Sequence, residues 1–594
     1  MIKLSDYVVK SLEQYGVKHV FMVSGGGAMH LNDSFGKSKK IKYICNHNEQ
    51  ACAIAAEGYA RVNQKLSVVN ATTGPGGINC LNGVFGQWTD STPVLYISGQ
   101  VKRSTTLASC PSLPLRQLGD QEVDIISVVR PLTKYAVMVN EPSEIKYHLQ
   151  KAIRLATSGR PGPVWLDIPL DVQAAMIDEK QLKDYNHKED DLVLPPADKK
   201  IEEAAKLLKT AKRPLIIAGH GIRISGSQKA FIKLLRKLKI PSVTTMNGFD
   251  IIEHKEPYYI GRIGTVANRA ANFVLQNADL VISVGSRNNI RQVSYNWENY
   301  AKKAKLICID IDKAELDKPT LKPFLKIQAD VKDFIEKFDK VTKSDEPRKE
   351  WLDWCLSVKK KYPPVAEAPR VGNNPIEPYF FINRLTQLFK EKEVIVGGNG
   401  TAFLLPFQVG EVKKGQRYIW NSGNASMGYD LPAAIGACLA NGEKSTICLA
   451  GDGSIMMNLQ ELQTVLNYNL PIKIFLLNND GYISIQQTQN AFFAGHMTAC
   501  TRSSGVILPD FTKLAKTLGF KTLKINSLKN IDQKVKEVLD DKGPVFCEVM
   551  LSPGYIFCPK LSAKKLPDGT MVSPSLEDLF PFLERKEFES NTLC

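Results

Sequence analysis

Two apolar, strand-like segments of this sequence end in polar residues that could bind a cation. The segments are TICLAGDG and IKIFLLNN, and the residues at their ends are Asp452 and Asn479. Between them, Leu459, Leu462 and Leu466 have helical spacing, so the stretch is predicted to form a β-α-β unit. Because a right-handed crossover places the carboxyl ends of two parallel strands side by side, Asp452 and Asn479 are expected to share one crevice.

Oxygen ligands from two strand ends suit a hard cation such as magnesium. The backbone N–H groups around Gly453 and Ser454, at the start of the predicted helix, suit a phosphate group. A glycine turn with Asp and Asn caps would explain either end of the stretch alone, but not both ends together. The stretch therefore predicts a metal ion and a phosphate bound at one place.

A further acidic residue stands at the start of a helix that is otherwise small and apolar. In NHNEQACAIAAEGYAR, Glu49 precedes Ala51, Ala53, Ala55 and Ala56. Taken alone, this residue would be interpreted as an acid that stabilises the N-terminus of a helix. Burial against the alanines would strengthen any hydrogen bond that its carboxyl group makes.

Composition and charge describe a large globular chain. It has 594 residues, of which 43% are hydrophobic, enough for several domains with packed cores. The 77 basic residues exceed the 61 acidic ones, which gives a formal charge of +16. The basic residues are mixed with acidic ones and form no stripe with interleaved aromatics, so we predict no nucleic-acid binding.

Cysteine usage and hydropathy indicate the compartment. The 12 cysteines lie far apart and include no CxxC pair, a pattern typical of reduced thiols in the cytosol. The N-terminal segment MIKLSDYVVKSLEQYG lacks a signal-peptide core, and no apolar run is long enough to span a bilayer. We therefore expect a soluble, cytoplasmic protein without a membrane partner.

Three blocks of alternating strand and helix patterns are separated by polar, proline-bearing links. They predict an α/β fold with three open, mainly parallel-sheet domains. The expected domains are 1–175, 195–345 and 370–555, and residues 556–594 are expected to form an extended arm that packs on the body or on a partner subunit. The candidate strands are HVFMV, SVVNAT, PVLYISG, RPLIIAGHG, DLVISVGS, KLICIDID, VIVGGNG, STICLAGDG, IKIFLLNN and PVFCEVM.

These motifs resemble those of the thiamine diphosphate-dependent enzymes. GDG followed by NNDGY at this interval resembles the cofactor signature of the family, and the chain to about residue 555 is similar to the acetohydroxyacid (acetolactate) synthase large subunits. The resemblance implies a pyrimidine-binding, a central Rossmann-like and a diphosphate-binding domain. It also implies thiamine diphosphate and Mg²⁺, with Asp452, Asn479 and the carbonyl group of Gly481 as metal ligands.

The resemblance assigns further positions around the cofactor. Glu49 matches the catalytic glutamate, which hydrogen-bonds the aminopyrimidine ring, and Met427 matches the apolar residue that holds the cofactor bent. In this family the first block of one subunit faces the third block of another, so a homodimer or homotetramer is expected. The remaining implied cofactor-binding residues are Pro75, Asn79, Thr401, Gly451, Gly453, Ser454 and Tyr482.

The middle block raises the question of a flavin. Its segments AGHG, GRIGT, GSRNNIRQV and CIDID resemble the FAD-binding segments of acetohydroxyacid synthase. We expect FAD in a non-redox role, while many relatives keep this fold without flavin. The implied FAD-binding residues are Gly219, Gly264, Thr265, Arg287 and Asp310.

The implied reaction is decarboxylation of a 2-oxo acid, which we expect to be pyruvate, followed by carboligation to a second carbonyl compound. Gln121 and Lys134 match substrate-channel residues of acetohydroxyacid synthase. Pyruvate decarboxylases place adjacent histidines in the first block, whereas His47 stands alone here, so a simple decarboxylase is less favoured. A non-enzymatic subunit is also less favoured, because Glu49, Asp452 and Asn479 are all present.

Two departures from the synthase pattern leave an alternative acceptor open. Asp120 replaces a phenylalanine, and Gln486 or Gln487 stands where a tryptophan shapes an apolar pocket. A pocket of polar groups should reject an acceptor that leaves those groups unpaired. The segment KLPDGTMVSPSLEDLFPFL also resembles the C-terminal extension of members associated with cell-surface polysaccharide biosynthesis. The alternative is transfer of the two-carbon unit to a keto-sugar nucleotide.

Overall fold

The computed structural model describes residues 1–190, 192–343, 348–367, 375–565 and 568–593. These residues form three sheets of six strands each, and every strand pair within the three sheets is parallel. The predicted α/β fold class with three parallel-sheet domains is confirmed. The expected domain limits at 345 and 370 lie outside the described residues. No helix in the described ranges has the length and apolar character needed to cross a bilayer.

The N-terminal domain is built around the first sheet. The sheet contains β2 (His19–Met22), β3 (Lys42–Cys45), β4 (Ser67–Ala71), β5 (Val94–Gln100), β6 (Tyr135–Met138) and β7 (Val164–Pro169), while β1 (Ile2–Lys3) and β8 (Met176–Ile177) pair with each other outside it. The helices of this domain are α1 (Leu4–Gln14), α2 (Met29–Lys37), α3 (Glu49–Asn63), α4 (Pro75–Asn79), α5 (Leu81–Asp90), α6 (Ile125–Val129), α7 (Ile145–Thr157) and α8 (Leu170–Ala174). The sheet order is β3-β2-β4-β5-β7-β6. Strands β4, β5 and β7 are buried throughout, as is typical of central strands covered by helices on both faces.

The central domain has a sheet whose order reverses in the middle. Its strands are β9 (Pro214–Ala218), β10 (Ser242–Thr244), β11 (Tyr259–Arg262), β12 (Leu280–Val284), β13 (Lys305–Asp310) and β14 (Leu325–Gln328). Its helices are α9 (Asp198–Thr210), α10 (Gly221–Ile224), α11 (Gln228–Leu238), α12 (Arg269–Asn277), α13 (Ile290–Val293), α14 (Lys313–Asp317), α15 (Val331–Val341), α16 (Lys349–Lys361) and α17 (Pro364–Glu367). The order β11-β10-β9-β12-β13-β14 creates a switch point between β9 and β12, where such sheets bind ligands.

The C-terminal domain contains the third sheet. Its strands are β15 (Val394–Gly397), β16 (Arg417–Ile419), β17 (Thr446–Gly451), β18 (Ile472–Asn478), β19 (Lys521–Ile525) and β20 (Val545–Met550). Its helices are α18 (Pro378–Leu388), α19 (Thr401–Val409), α20 (Asp430–Ala440), α21 (Asp452–Ile455), α22 (Glu461–Asn467), α23 (Ile483–Phe492), α24 (Phe511–Leu518) and α25 (Ile531–Asp540). The order β16-β15-β17-β18-β20-β19 makes β17 and β18 central neighbours.

The N-terminal and C-terminal domains share one apolar core, at which α3 packs antiparallel on α20. A Cβ atom on Gly58 would lie 2.2 Å from the carbonyl oxygen of Ala433, and one on Gly436 would lie 1.8 Å from that of Ala55. The two helix backbones therefore approach so closely that only glycine fits at these two positions.

The segment from 556 to 593, the C-terminal arm, packs on the central domain. It contains the short strands β21 (Lys564–Lys565) and β22 (Met571–Val572) and the helix α26 (Arg585–Ser590). Asn272, on α12, donates to the carbonyl oxygen of Leu576 at 2.9 Å, and Arg269 donates to that of Leu579 at 3.0 Å. Buried side chains of one helix thus satisfy backbone carbonyl groups of the arm.

Candidate active site

Two adjacent strand ends of the third sheet carry the predicted metal ligands. Strands β17 and β18 pair in register, with Gly451 opposite Leu477, so Asp452 and Asn479 emerge side by side. The carboxylate of Asp452 accepts hydrogen bonds from the backbone N–H groups of Asn479, at 3.0 Å, and of Gly481, at 3.1 Å. The structure thus brings the three predicted ligand residues together at one sheet edge.

The side-chain amide of Asn479 has one satisfied end and one unsatisfied end. Its Nδ2 atom donates to the hydroxyl oxygens of Thr401, at 3.0 Å, and of Tyr555, at 3.2 Å. Its Oδ1 atom is buried without a hydrogen-bond partner among the described residues. A buried acceptor without a partner is costly, and a cation ligated by this oxygen would remove the cost. An orphaned amide oxygen beside a carboxylate fits the oxygen donor set of Mg²⁺.

The Asp452 carboxyl group itself is buried. Burial raises its pKa to about 6, although backbone N–H groups, of which that of Gly481 has the largest effect, act to lower it. A divalent cation at this site would oppose the effect of burial, because it favours the charged carboxylate. The electrostatic environment of Asp452 is therefore suited to a bound cation.

Glycine residues shape the turn around Asp452. A Cβ atom on Gly453 would lie 2.2 Å from the ring of Tyr482, so this ring covers the turn only because residue 453 has no side chain. Gly481 has a φ of +132°, and a Cβ atom there would lie 2.5 Å from the carbonyl oxygen of Cys500. The GDG and NNDGY motifs are thus packed directly against each other.

Ser454 connects this turn to the loop that contains Met427. Its hydroxyl group donates to Asp430 at 2.8 Å and accepts from the backbone N–H of Gly428 at 2.9 Å. Met427 is half-buried and directly precedes Gly428. The residue expected to support the cofactor therefore lies beside the turn expected to bind the diphosphate.

Glu49 begins α3 at the carboxyl edge of the N-terminal sheet. Its side chain is 8% exposed, and its Oε2 atom accepts a hydrogen bond from Nδ2 of Asn79 at 3.0 Å. Asn79 ends the short helix that Pro75 begins. A Cβ atom on Gly76 would lie 3.3 Å from Oε1 of Glu49, so a glycine keeps the space beside this oxygen open. Glu49 and Asn79 thus form one cluster, and Pro75 begins the short helix that carries Asn79.

Within one chain, the Glu49 cluster and the Asp452 cluster lie apart. Because α3 and α20 are antiparallel and cross where Gly58 meets Ala433, Glu49 and Asp430 lie at opposite ends of the helix pair. A rise of 1.5 Å per residue along both helices separates these ends by roughly 15–20 Å. The two clusters of one chain therefore lie at different ends of the interface between its N-terminal and C-terminal domains.

The two expected substrate-channel residues lie at opposite ends of the strands of the N-terminal sheet: Gln121 at the carboxyl ends and Lys134 at the amino ends. The backbone of Gln121 contacts the loop before α4, where a Cβ atom on Gly74, with φ +63°, would lie 1.9 Å from its carbonyl oxygen. Lys134 directly precedes β6, and its Nζ atom donates to the carbonyl oxygen of Ser158 at 2.7 Å. Burial lowers the pKa of Lys134 to about 8. The structure brings Gln121, but not Lys134, to the Glu49 cluster.

The amides of Gln486 and Gln487 both make internal hydrogen bonds. Gln486 donates to the carbonyl oxygen of Cys500 at 3.0 Å. Gln487 donates to the carbonyl oxygen of Tyr555 at 3.1 Å and accepts from the backbone N–H of Phe557 at 3.1 Å. These contacts fix α23 to neighbouring backbone segments and leave fewer free polar groups than the sequence suggested for a polar acceptor pocket.

A cavity of about 270 Å³ lies at the switch point of the central sheet, between this sheet and the N-terminal domain. Arg287 and Asp310, two of the five expected FAD residues, line it together with Arg160 and His220. Burial raises the pKa of Asp310 to about 6 and lowers that of His220 to about 3. The cavity therefore offers two arginines and a neutral imidazole to a ligand, together with Asp310 and two further aspartates, Asp90 and Asp330.

The other three expected FAD residues do not line this cavity. Gly219 lets two turns approach each other, because a Cβ atom there would lie 2.2 Å from the carbonyl oxygen of Gly285. Gly264, with φ +136°, packs on the backbone of Arg291. The carbonyl group of Thr265 accepts from the backbone N–H of Leu561 at 2.7 Å and so contacts the C-terminal arm. Arg287 and Asp310 alone remain as cavity residues from the expected set.

Two buried residues near the candidate site were not foreseen from the sequence. Tyr555 contacts Asn479, although nothing in SPGYIF distinguishes it from an ordinary core tyrosine. Glu461 accepts hydrogen bonds at 2.8 Å from Nδ2 of Asn46 and from the backbone N–H of His47. These two contacts join the loop before α3 to the C-terminal domain, and a single sequence contains no pattern that pairs such distant segments.

Family comparisons agree with this architecture. Three domain models of the thiamine pyrophosphate (thiamine diphosphate) enzymes match the chain: the N-terminal TPP binding domain at residues 2–128, the central domain at 201–338 and the C-terminal TPP binding domain at 398–549. Each match contains strands of one of the three sheets. The chain belongs to the thiamine pyrophosphate enzyme family.

Within this family the chain is similar to acetolactate synthase large subunits. It is 30% identical over 550 residues to the large subunit of isozyme 1 from Escherichia coli (strain K12), covering 92% of this chain and 93% of the relative. It is 31% identical over 566 residues to the large subunit from Lactococcus lactis, with 94% of each chain covered. A probable large subunit from Methanocaldococcus jannaschii is 31% identical over 576 residues, covering 93% of this chain and 92% of the relative.

Proposed function

We propose that this protein is a thiamine diphosphate-dependent carboligase of the acetolactate synthase type. It decarboxylates a 2-oxo acid, pyruvate in the simplest case, and joins the remaining two-carbon unit to a second carbonyl compound. The observation that carries the proposal is that the Asp452 carboxylate and the unpartnered Oδ1 atom of Asn479 belong to residues at adjacent strand ends, where Asp452 accepts from the backbone N–H of Asn479. The full-length similarity to acetolactate synthase large subunits supports the choice of reaction.

The proposal assigns roles to the residues of both clusters. Asp452, Asn479 and the carbonyl group of Gly481 would hold Mg²⁺, and the backbone N–H groups at the start of α21 would bind the diphosphate. When bound, the thiazolium ring of the cofactor supplies the electron sink for decarboxylation. The Glu49 carboxyl group, oriented by Asn79, would hold a proton at the aminopyrimidine nitrogen in a low-dielectric environment.

The active site is proposed to form between two subunits. The Glu49 and Asp452 clusters lie at opposite ends of the α3–α20 pair in one chain, so a twofold-related chain would supply the missing half of each site. Exposed apolar side chains on the helices near the Glu49 cluster, Ile78, Phe85 and Trp88, suit burial in such an interface. We therefore propose a homodimer as the smallest active unit, with a homotetramer as an extension of it.

The central cavity is proposed to bind the nucleotide end of FAD in a non-redox role. Asp310 stands at the end of β13, where an acid can hydrogen-bond a ribose hydroxyl, and Arg160 and Arg287 offer positive charge to phosphate groups. This part of the proposal rests on Arg287 and Asp310 and not on Gly264 or Thr265.

A keto-sugar nucleotide is not favoured as the acceptor. The synthase relatives cover nearly the whole chain, and Gln486 and Gln487 use their amides for internal hydrogen bonds. The test of function is to incubate the purified protein with thiamine diphosphate, Mg²⁺ and pyruvate, and to follow carbon dioxide and products by mass spectrometry. We expect acetolactate from pyruvate alone. Carbon dioxide release that requires an added keto-sugar nucleotide would replace the synthase proposal, and release of acetaldehyde alone would indicate a simple decarboxylase.

A further inference from the structure

The hydroxyl group of Tyr555 is part of a closed three-membered hydrogen-bond group. It contacts the Thr401 hydroxyl and the amide nitrogen of Asn479, and Asn479 also contacts Thr401 at 3.0 Å. Tyr555 is 1% exposed and Thr401 is 2% exposed, so water does not compete for these contacts. A buried group of this kind is stable only when each of its contacts contains a hydrogen atom.

Counting hydrogen atoms fixes the orientation of the Asn479 amide. With Nδ2 toward the hydroxyls, the two amide and two hydroxyl hydrogens supply all three contacts. With Oδ1 toward them, only the two hydroxyl hydrogens are available, and one contact between oxygen atoms would contain no hydrogen. The two hydroxyl groups of Thr401 and Tyr555 therefore keep the oxygen of Asn479 pointing away from them, where it has no hydrogen-bond partner among the described residues.

The backbone around Tyr555 is held by side chains of the C-terminal domain. Gln487 bonds the carbonyl group of Tyr555 and the N–H group of Phe557, both at 3.1 Å. Tyr379 accepts a hydrogen bond from the N–H group of Cys558 at 2.7 Å. The tyrosine hydroxyl thus reaches Asn479 from a segment that is fixed on both sides.

We propose that Tyr555 is a positioning residue for the metal site. Together with Thr401 it holds the amide of Asn479 so that Oδ1 faces the cation, and it acts through Asn479 without touching the metal or the substrate. This inference rests on the proposed function, because it requires that Asn479 is a magnesium ligand.

The test is a magnesium titration of the Tyr555→Phe variant in the presence of thiamine diphosphate, followed by isothermal calorimetry. Phenylalanine keeps the ring and removes only the hydroxyl group, so the fold should remain. Residues that orient metal ligands commonly change affinity by about 10–100-fold, and we expect Mg²⁺ binding to weaken within this range. Activity lost at low Mg²⁺ should return as the Mg²⁺ concentration is raised.

Tyr418→Phe is the matched control. Tyr418 is also buried in the C-terminal domain, and its hydroxyl group donates to the carbonyl oxygen of Glu411 at 3.1 Å, away from Asn479. We expect this change to leave magnesium affinity within about twofold of the parent, because it breaks one hydrogen bond without disturbing the metal ligands. Equal losses in the Tyr555 and Tyr418 variants, or no loss in the Tyr555 variant, would overturn the inference.

Three further variants separate the possible failures. If Tyr555→Phe does not fold, Thr401→Val tests the same hydrogen-bond group, and Thr401→Ser should bind Mg²⁺ more tightly than Thr401→Val because it keeps the hydroxyl. Asn479→Ala tests the underlying proposal. Unchanged magnesium affinity in Asn479→Ala would reject the ligand assignment itself, whereas a loss in Asn479→Ala without a loss in the hydroxyl variants would reject only the positioning role.

Discussion

The carboxylate of Asp452 accepts a hydrogen bond from the backbone N–H of Asn479 at 3.0 Å, so the first metal-ligand candidate fixes the backbone of the second. This bond closes the gap between the ends of β17 and β18. It also directs one carboxylate oxygen at the NNDGY turn, whose glycine N–H group lies 3.1 Å away. The two motifs are therefore one structural unit before any ligand binds.

Removing this carboxylate should abolish magnesium-dependent cofactor retention. In Asp452→Ala the cation loses its charged ligand, and the turn loses the acceptor of three backbone N–H groups. We expect thiamine diphosphate to be lost during gel filtration in Mg²⁺-containing buffer. Asp480→Ala is the control, because that side chain belongs to the same turn but is 59% exposed. An Asp452→Ala protein that still co-purifies with thiamine diphosphate would refute the ligand assignment.

Glu49→Gln should separate cofactor binding from cofactor activation. Glutamine has nearly the same volume but cannot hold the proton of a carboxylic acid, so we expect cofactor affinity close to that of the parent and exchange of the thiazolium C2 proton slower by about two orders of magnitude or more. Quenched-flow NMR in deuterium oxide measures this rate. Glu57→Gln, on the same helix, should not slow exchange in the folded protein. Unchanged exchange in Glu49→Gln would remove the assigned role.

The close approach of α3 and α20 should make Gly436 irreplaceable. A Cβ atom at this position would lie 1.8 Å from the carbonyl oxygen of Ala55, so Gly436→Ala must force the helices apart. We expect a loss of roughly 3 kcal/mol in the free energy of unfolding, the upper end for overpacked cores. Gly36→Ala is the control, since nothing lies within 4 Å of a Cβ atom there, and it should be neutral or slightly stabilising. Similar urea midpoints for both variants would contradict the described packing.

Much of the fold could be predicted from hydrophobic patterns. The ten candidate strands all occur in the structure, and their alternation with helices gave the three-sheet architecture. Strand β3 (Lys42–Cys45) was missed because three of its four residues are exposed at the sheet edge, and β16 because it has only three residues. The central strand β7 (Val164–Pro169) was also missed, although all six of its residues are buried. Short edge strands carry too little apolar pattern to be recognised without their partners.

In the candidate site, the sequence predicted the contacts that follow from the order of the strands along the chain. Asp452 and Asn479 meet because a crossover joins consecutive strands, a rule that needs no knowledge of packing. The contact between Tyr555 and Asn479 depends instead on how the segment after β20 folds back, and no local pattern encodes it. The same holds for Gln487, which the sequence suggested as a substrate residue and which in the structure holds the backbone of Phe557.

Asp167 should make stability depend on pH. Burial raises its pKa to about 7 from an ordinary 3.8, against the hydrogen bonds from Ser98 and Gln100 that lower it. Between these values the folded chain holds a proton that the unfolded chain has released, so stability falls as pH rises from about 4 to about 7, by at most roughly 1.4 kcal/mol per pH unit. In Asp167→Asn the decline in thermal midpoint over this window should be shallower. Parallel pH profiles for parent and variant would show that Asp167 is charged in the folded protein.

Mixing two inactive variants should restore activity if each active site uses two chains. A Glu49→Gln chain keeps an intact Asp452 cluster, and an Asp452→Ala chain keeps an intact Glu49 cluster. In a mixed dimer the two intact clusters meet in one active site, while both defects fall in the other active site. Co-expression with two affinity tags isolates the mixed dimer.

With random pairing, half of the dimers are mixed and each has one intact site, so we expect about one quarter of the parent activity in the unfractionated mixture. Each variant expressed alone should have only its own residual activity, which is the control. If both clusters of one active site came from a single chain, every site in the mixture would contain one defect. The purified mixed dimer contains both intact clusters, so the experiment tests only how they are arranged across the two chains. If this dimer is no more active than either variant alone, the shared site is rejected.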